Sequence, residues 1–343
     1  MQKRTLGKTG MRISVIGFGG IAIQRLSGKQ AKDLVEEALD AGITFFDTAQ
    51  GYGDSEVKIG EGIRKRRKEA VLATKSTCRS AKQARSHVEQ ALRRLNTDWI
   101  DLYQLHYVNK SHELKEVLAP RGALEGLIRL KREEKIRHIG ITGHNADLLE
   151  QSLKESEELE TVQFPFNIIE DGKKERSLLK IAKRLNIGTI AMKPLAGGVI
   201  PEPELSLRWI LGQGVDTAIP GMILSSEVTM NSKVGHTFQS LSEQELSKLR
   251  AGVEPLKSNF CRRCMYCTPC PNEVPIYFIQ ELGDKVKVAA VREMCQEMYA
   301  RLEKNVEDCI ECGECEEKCP YNLPIRDMLK EKHHLLVKNR STL

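Results

Sequence analysis

Eight times in succession, an apolar stretch of strand length is followed by an amphipathic stretch of helix length. Ile13 to Gly19 precedes Gln30 to Ala41, Ile43 to Asp47 precedes a helix from Ser55, and Val71 to Lys75 precedes Ala81 to Leu95. Asp101 to His106 leads to Gly122 to Glu134, Arg137 to Thr142 to Asn145 to Lys154, and Thr161 to Phe164 to Lys173 to Leu185. Gly188 to Lys193 with Glu204 to Leu211, then Asp216 to Ile219 with a short helix near Ser226, complete the series. A strand that reaches the next one through a helix pairs with it in parallel, and the helices then cover the sheet. Eight such units in about 250 residues predict an α/β fold, a (β/α)8 TIM barrel. A doubly wound sheet would instead carry a Gly-x-Gly-x-x-Gly turn after its first strand. Gly17-Phe18-Gly19-Gly20 lacks that spacing.

After a further helix, Leu241 to Gly252, the pattern changes to cysteine runs flanking a helical segment from Ile276 to Leu302. This predicts a barrel domain over 1–255, a small helical ferredoxin-like iron–sulfur domain over 256–330 and a C-terminal tail over 331–343. The N-terminus lacks the apolar run of a signal peptide, and no stretch approaches the length of a membrane span. A cytoplasmic setting is the expectation, and there disulfides are disfavoured. Eight of the ten cysteines nevertheless fall in two dense runs, the usual arrangement of metal ligands. Cys309, Cys312, Cys315 and Cys319-Pro320 follow the C-x2-C-x2-C-x3-C-P spacing of a ferredoxin [4Fe–4S] ligand set. Cys261, Cys264, Cys267 and Cys270-Pro271 repeat it with one residue fewer before the last cysteine. Two clusters, with Cys270 and Cys319 crossing over, are the favoured reading. A single cluster and a structural zinc site stay open as alternatives. Cys78 and Cys295 have no partner at ligand spacing. The net charge of +6 includes one basic block, Arg64 to Lys68, at the end of a helix. No aromatic residues interleave with it, which argues against nucleic-acid binding.

In a barrel of this type the chemistry sits where the strands end. Those ends carry Asp47, Lys75 and His106, and Tyr52 lies in the loop just beyond Asp47. A phenol, with its ordinary pKa near 10, is a poor acid at neutral pH. A neighbouring ammonium favours the phenolate, and a carboxylate keeps that ammonium charged and in place. With an imidazole to orient a carbonyl oxygen, the set suits protonation of an alkoxide as a carbonyl is reduced.

The segment Phe46-Asp47-Thr48-Ala49-Gln50-Gly51-Tyr52-Gly53 with Glu56 resembles the signature of the aldo-keto reductases. Arg4 to Gly10, Gly17 to Gly20, Leu102 to His106 and Met192 to Gly198 are similar to further motifs of that family. The resemblance covers residues 1 to 255, and with its C-terminal extension the chain resembles a bacterial and archaeal ferredoxin-linked group. It implies an oxidoreductase with Tyr52 as general acid/base, Asp47 and Lys75 as its tuners, and His106 as the carbonyl-orienting group. It also implies NADP(H) or NAD(H), with the nicotinamide amide held by Gln163 and by Asn145 or Thr142. The diphosphate would lie near Lys193, Pro194, Leu195, Gly197, Gly221 and Met222. Where NADPH-using members carry a lysine and an arginine for the 2′-phosphate, this chain has Gly221 and Glu227.

Three readings of the combination remain. The first is carbonyl reduction with nicotinamide hydride, the clusters serving electron transfer or redox sensing. The second has the clusters feed single electrons to a substrate in the barrel, and the third is an electron carrier with a scaffold barrel. The expected substrate is a small carbonyl compound. A ferredoxin-type partner would meet Arg262, Arg263 and Lys318 through charge complementarity.

Overall fold

The computed structural model describes residues 1–256, 260–261, 265–286 and 292–337. They form two compact units, Met1–Leu195 with Ile200–Val253, and Ala196–Val199 with the described residues from Glu254 onward.

In the first unit eight parallel strands lie side by side in chain order. They are β3 (Phe18–Gly19), β4 (Phe45–Asp47), β5 (Val71–Ser76), β6 (Ile100–Leu105), β7 (Ile136–Thr142), β8 (Thr161–Pro165), β9 (Gly188–Met192) and β10 (Thr217–Ile219). The sheet closes on itself: Gly17 N donates to Ala218 O at 2.8 Å, Gly19 N to Pro220 O at 2.9 Å, and Ala218 N to Val15 O at 3.0 Å. The expected barrel is the observed one. Helices cover its outside, so nearly every strand residue is buried on both faces. This explains why the strands read as continuous apolar runs rather than alternating ones. Several helices start on side-chain caps; Gln30 N donates to Ser27 Oγ at 3.3 Å at the head of α1 (Gly28–Asp40).

Three elements depart from the sequence reading. The single strand expected over Ile13 to Gly19 is divided. Its first part, β2 (Arg12–Ser14), pairs antiparallel with β1 (Lys3–Thr5) in a hairpin outside the barrel sheet. Leu6 and Ile13 from this hairpin join Phe45, Leu102, Ile190 and Ile219 in one buried cluster, closing the end where the strands begin. A Cβ on Gly188, at the start of β9, would stand 2.6 Å from the Leu6 side chain, so the plug requires glycine there. The connection after β6 holds an unexpected helix, α4 (Ser111–Leu118), ahead of α5 (Ala123–Arg132). Only Leu114 and Val117 of α4 are buried, too few to stand out as an amphipathic period. The short helix near Ser226 is a twelve-residue helix, Ser225–His236, whose buried face includes Asn231, Ser232 and Gly235 and is therefore weakly apolar.

The remaining helices of this unit are α2 (Ser55–Ile63), α3 (Ala81–Leu95), α6 (Ala146–Glu155), α7 (Lys173–Arg184), α8 (Pro203–Gly212), α9 (the Ser225–His236 helix) and α10 (Glu243–Val253). The second unit contains α11 (Ile276–Lys285), α12 (Arg292–Ala300), α13 (Glu314–Glu317) and α14 (Ile325–Leu336). Ile276, Ile279, Leu282, Cys295, Tyr299, Leu329 and Leu336 lie in its core. The boundary expected at residue 330 falls inside α14.

The sequence repeat of this unit is also a backbone repeat. Met265 and Gly313, one residue after the second cysteine position of each run, have φ of 62° and 81°. Glu273 and Asn322 have φ of 59° and 50°, and their amides donate to Cys270 O and Cys319 O at 3.0 and 3.2 Å. Pro275 and Pro324 precede α11 and α14 with nearly equal dihedrals, φ −79°, ψ 66° and φ −75°, ψ 71°. Among the described residues no helix is long and apolar enough to cross a membrane.

Candidate active site and cysteine chambers

Asp47 ends β4, Lys75 lies one residue before the end of β5, and His106 directly follows β6, so three adjacent strands deliver them to one end of the barrel. The loop carrying Tyr52 is fastened to the same edge: Thr48 N donates to Ala73 O and Gln50 N to Lys75 O, both at 2.9 Å. Lys75 Nζ is ion-paired with Asp47 Oδ2 and donates to Thr48 O at 2.8 Å. It also stands 5.1 Å from the centre of the Tyr52 ring. The Tyr52 and His106 rings meet edge to face, 5.9 Å apart at 87°. Tyr52 is half-buried, whereas Asp47, Lys75 and His106 are buried.

Burial pushes the Asp47 carboxyl up, against the charge of Lys75 and the hydrogen bonds it accepts. It pushes the Lys75 amine down, against the attraction of Asp47 and Glu56. His106 is driven well below the usual imidazole range, first by burial and then by the positive charges of Lys75, Arg79 and Lys193. Its ring is therefore neutral at physiological pH and can act as an uncharged hydrogen-bonding group.

Two buried residues that were not singled out for the site support it. Gln104 Nε2 reaches Asp47 Oδ1 at 3.3 Å and Gln163 Oε1 at 3.0 Å, linking the ion pair to a residue of the expected nicotinamide set. Its available signal was a polar residue two before His106, on the same face of the strand and set between Tyr103 and Leu105. Glu56, 1% exposed, accepts from Thr74 Oγ1 at 2.7 Å and pairs with Arg94 Nη1 at 3.3 Å.

The other residues expected at a cofactor are spread along the later loops. Gln163 is buried in β8, its amide nitrogen 3.9 Å from Met192 Sδ. Asn145 is exposed at the head of α6, where its side chain accepts from Leu148 N at 3.2 Å. Thr142 Oγ1 accepts from Tyr107 N at 3.2 Å. Lys193, in the left-handed region at φ 54°, places Nζ 3.5 Å from His144 Nε2. Pro194 is buried, with its carbonyl accepting from Ser206 Oγ at 3.1 Å, and Leu195 is half-buried. Gly197 has φ 75° and lies in the Ala196–Val199 stretch of the second unit. Gly221 bridges to Gly19 across the barrel closure, and Met222 is fully buried. Glu227 caps its own helix: Oε2 accepts from Ile223 N at 2.7 Å and Leu224 N at 3.0 Å.

In the second unit the described cysteines line two chambers. One is bordered by Cys309, Cys312 and Cys315 together with Cys270, the last cysteine of the other run. The second is bordered by Cys261 and Cys267 together with Cys319. Cys264 lies outside the described residues, as do Arg262 and Arg263 of the expected docking patch. Lys318 of that patch pairs with Glu314 at 2.8 Å. Among the described residues no three His, Cys, Asp or Glu side chains converge on one point as ligands of a single ion. Thiols spaced around an apolar chamber instead suit a multi-iron cage, each thiolate reaching a different corner. Cys78 and Cys295 border neither chamber; both are fully buried, and burial pushes both thiols up.

Comparison with known proteins agrees with this division. Residues 15–205 match the aldo/keto reductase family, and residues 260–324 match a 4Fe-4S dicluster domain. The chain is 25% identical to the uncharacterized oxidoreductase YqkF of Bacillus subtilis, over 90% of this chain and 98% of that protein. It is 31% identical to the uncharacterized oxidoreductase YrpG of the same organism, over 74% and 83%. Among solved structures, an aldo/keto reductase from Klebsiella pneumoniae in complex with NADP and acetate is 25% identical with a TM-score of 0.62. That match covers 73% of this chain and 94% of the other.

Proposed function

Because the chain belongs to the aldo/keto reductase family and carries a 4Fe-4S dicluster domain, we propose that it reduces an aldehyde or ketone to the alcohol, with Tyr52 as the proton donor. The observation that carries this reading is the Lys75 ammonium, held by Asp47 against the Tyr52 ring with the neutral His106 beside it. A bound reduced nicotinamide would supply hydride to the carbonyl carbon. His106 would then hold the substrate oxygen by a hydrogen bond that carries no charge of its own. Tyr52 would deliver its proton to that oxygen as negative charge develops, while Lys75 stabilises the phenolate left behind. Asp47 keeps the amine protonated, and Gln104 keeps Asp47 in place.

Gln163, with Asn145 or Thr142, would hold the amide of the nicotinamide. Lys193, Pro194, Leu195, Gly197, Gly221 and Met222 would hold its diphosphate. At the head of α9 the amides of Ile223 and Leu224 already face the Glu227 carboxylate. An added 2′-phosphate would meet a like charge there, which favours NADH over NADPH.

In the second unit, Cys270, Cys309, Cys312 and Cys315 would hold one [4Fe–4S] cluster, and Cys261, Cys264, Cys267 and Cys319 another. Bound clusters would supply single-electron transfer. The presence of two such chambers also supports a second reading, in which electrons for the substrate arrive through the clusters and Tyr52 still provides the proton.

The test is Tyr52→Phe, assayed anaerobically with NADH or a one-electron donor and a panel of carbonyl compounds. Either reading expects a fall of about 10²–10⁴-fold, the usual worth of a general acid. Activity with NADH alone selects the first reading, and activity only with the one-electron donor selects the second. An unchanged rate in Tyr52→Phe would refute both.

A further inference from the structure

We propose that Gln280 donates a hydrogen bond from its side-chain amide to the sulfur shell of the cluster in the Cys261–Cys267–Cys319 chamber, raising that cluster's reduction potential. The proposal rests on the two-cluster reading above.

Gln280 lies on α11, one turn after Ile276, on the face that carries Ile276 and Ile279 into the core. It is 1% exposed, and neither its amide nitrogen nor its amide oxygen has a hydrogen-bond partner among the described residues. A buried amide left wholly unpaired is costly and rare, so such a group calls for an explanation in terms of what it faces. It borders the same chamber as Cys261, Cys267 and Cys319. Among the described residues Tyr321 also borders that space, and the acceptor that the proposal adds to it is a shell of sulfur.

The repeat provides an internal comparison. Gln280 is the fifth residue after Pro275, and the fifth residue after Pro324 is Leu329, which borders the other chamber and is 1% exposed. Equivalent positions on α11 and α14 therefore present an amide to one chamber and a hydrocarbon to the other. Arg326 also borders the Leu329 chamber; its Nη2 pairs with Glu316 at 2.7 Å, while its buried Nε has no hydrogen-bond partner among the described residues. Reduction adds one negative charge to a cluster. In a chamber walled by apolar side chains, a donor dipole stabilises the reduced form more than the oxidised form.

Gln280→Leu makes the two positions alike. The measurement is an anaerobic redox titration of the full chain followed by EPR, with iron and sulfide counted on the same sample. The expected result is about eight irons, one midpoint lowered by about 59 mV (a tenfold change in a one-electron equilibrium) and the other unmoved. Full loading with both midpoints unchanged would overturn the proposal. About four irons in the unmutated protein would overturn the two-cluster reading itself, a separate and distinguishable failure. If Gln280→Leu does not load, unmutated protein labelled with 15N in the glutamine side chain decides the matter by pulsed EPR. A 15N coupling to one cluster that is absent from Gln280→Asn supports the bond, and no coupling overturns it.

Discussion

Replacing Lys75 with Met should separate the stability of the barrel from its chemistry, because the ammonium lies at the centre of both. Its side chain is 0% exposed and that of Asp47 is 3% exposed, so the pair is sealed from water. Met fills much of the same volume but leaves the carboxylate with the Gln104 and Gln163 side chains as polar neighbours in place of the ammonium. Stranding one member of a buried pair costs about 3–5 kcal/mol. In a barrel of this size that corresponds to about 6–20 °C in Tm. Asp47 can relieve part of the strain by taking a proton, since burial already pushes its carboxyl up. The loss should therefore grow as pH rises through the folded-state value of Asp47 and shrink below it. Both tryptophans, Trp99 and Trp209, lie in the first unit, so urea unfolding followed by tryptophan fluorescence reports the barrel alone. Adding Asp47→Leu removes the stranded charge, and the double variant should recover most of the loss, because an apolar pair of similar volume is often neutral. A single variant that loses less than about 1 kcal/mol would refute the argument, as would a double variant whose losses simply add.

Two further perturbations test other parts of the molecule. Burial opposes ionisation of Glu160, but hydrogen bonds from His138 and Lys131 side chains and Ile139 N outweigh it and bring the carboxyl down to about 2. The resulting stabilisation, of order 3 kcal/mol, is fully present above pH 4.5 and lost as pH falls towards 2. Glu160→Gln should flatten that part of the stability curve, and parallel curves for variant and parent would sink the assignment. For the cysteines, Cys319→Ser and Cys261→Ser should abolish the same EPR signal, and Cys270→Ser and Cys309→Ser the other. Loss of signals run by run would show that the last cysteines do not cross.

The barrel was legible because each strand is buried on both faces and each helix on one, which writes the alternation into the sequence. The strand ends followed from it, so Asp47, Lys75 and His106 could be named before any contact was known. What escaped depends on spatial relations that periodicity does not encode. Ile13 and Phe18 are equally apolar, yet one plugs the barrel and the other lines it, and only pairing with Lys3–Thr5 distinguishes them. Gln104 sits between Tyr103 and Leu105, and its value lies in Asp47 and Gln163, which are distant in sequence. Glu227 stands where NADPH-using members carry an arginine. Its more local role, a carboxylate at the third position of a helix accepting from the amides before it, was available from the capping pattern.

The crossed placement of Cys270 and Cys319 makes the second unit an interlock. Each run finishes the wall of the chamber that the other run begins, so neither half encloses a complete site by itself. If one run frays, both enclosures open at once. Clusters bound there would then be lost together when the two runs separate, as on unfolding or on cleavage between them, even though replacing a single cysteine affects only its own chamber.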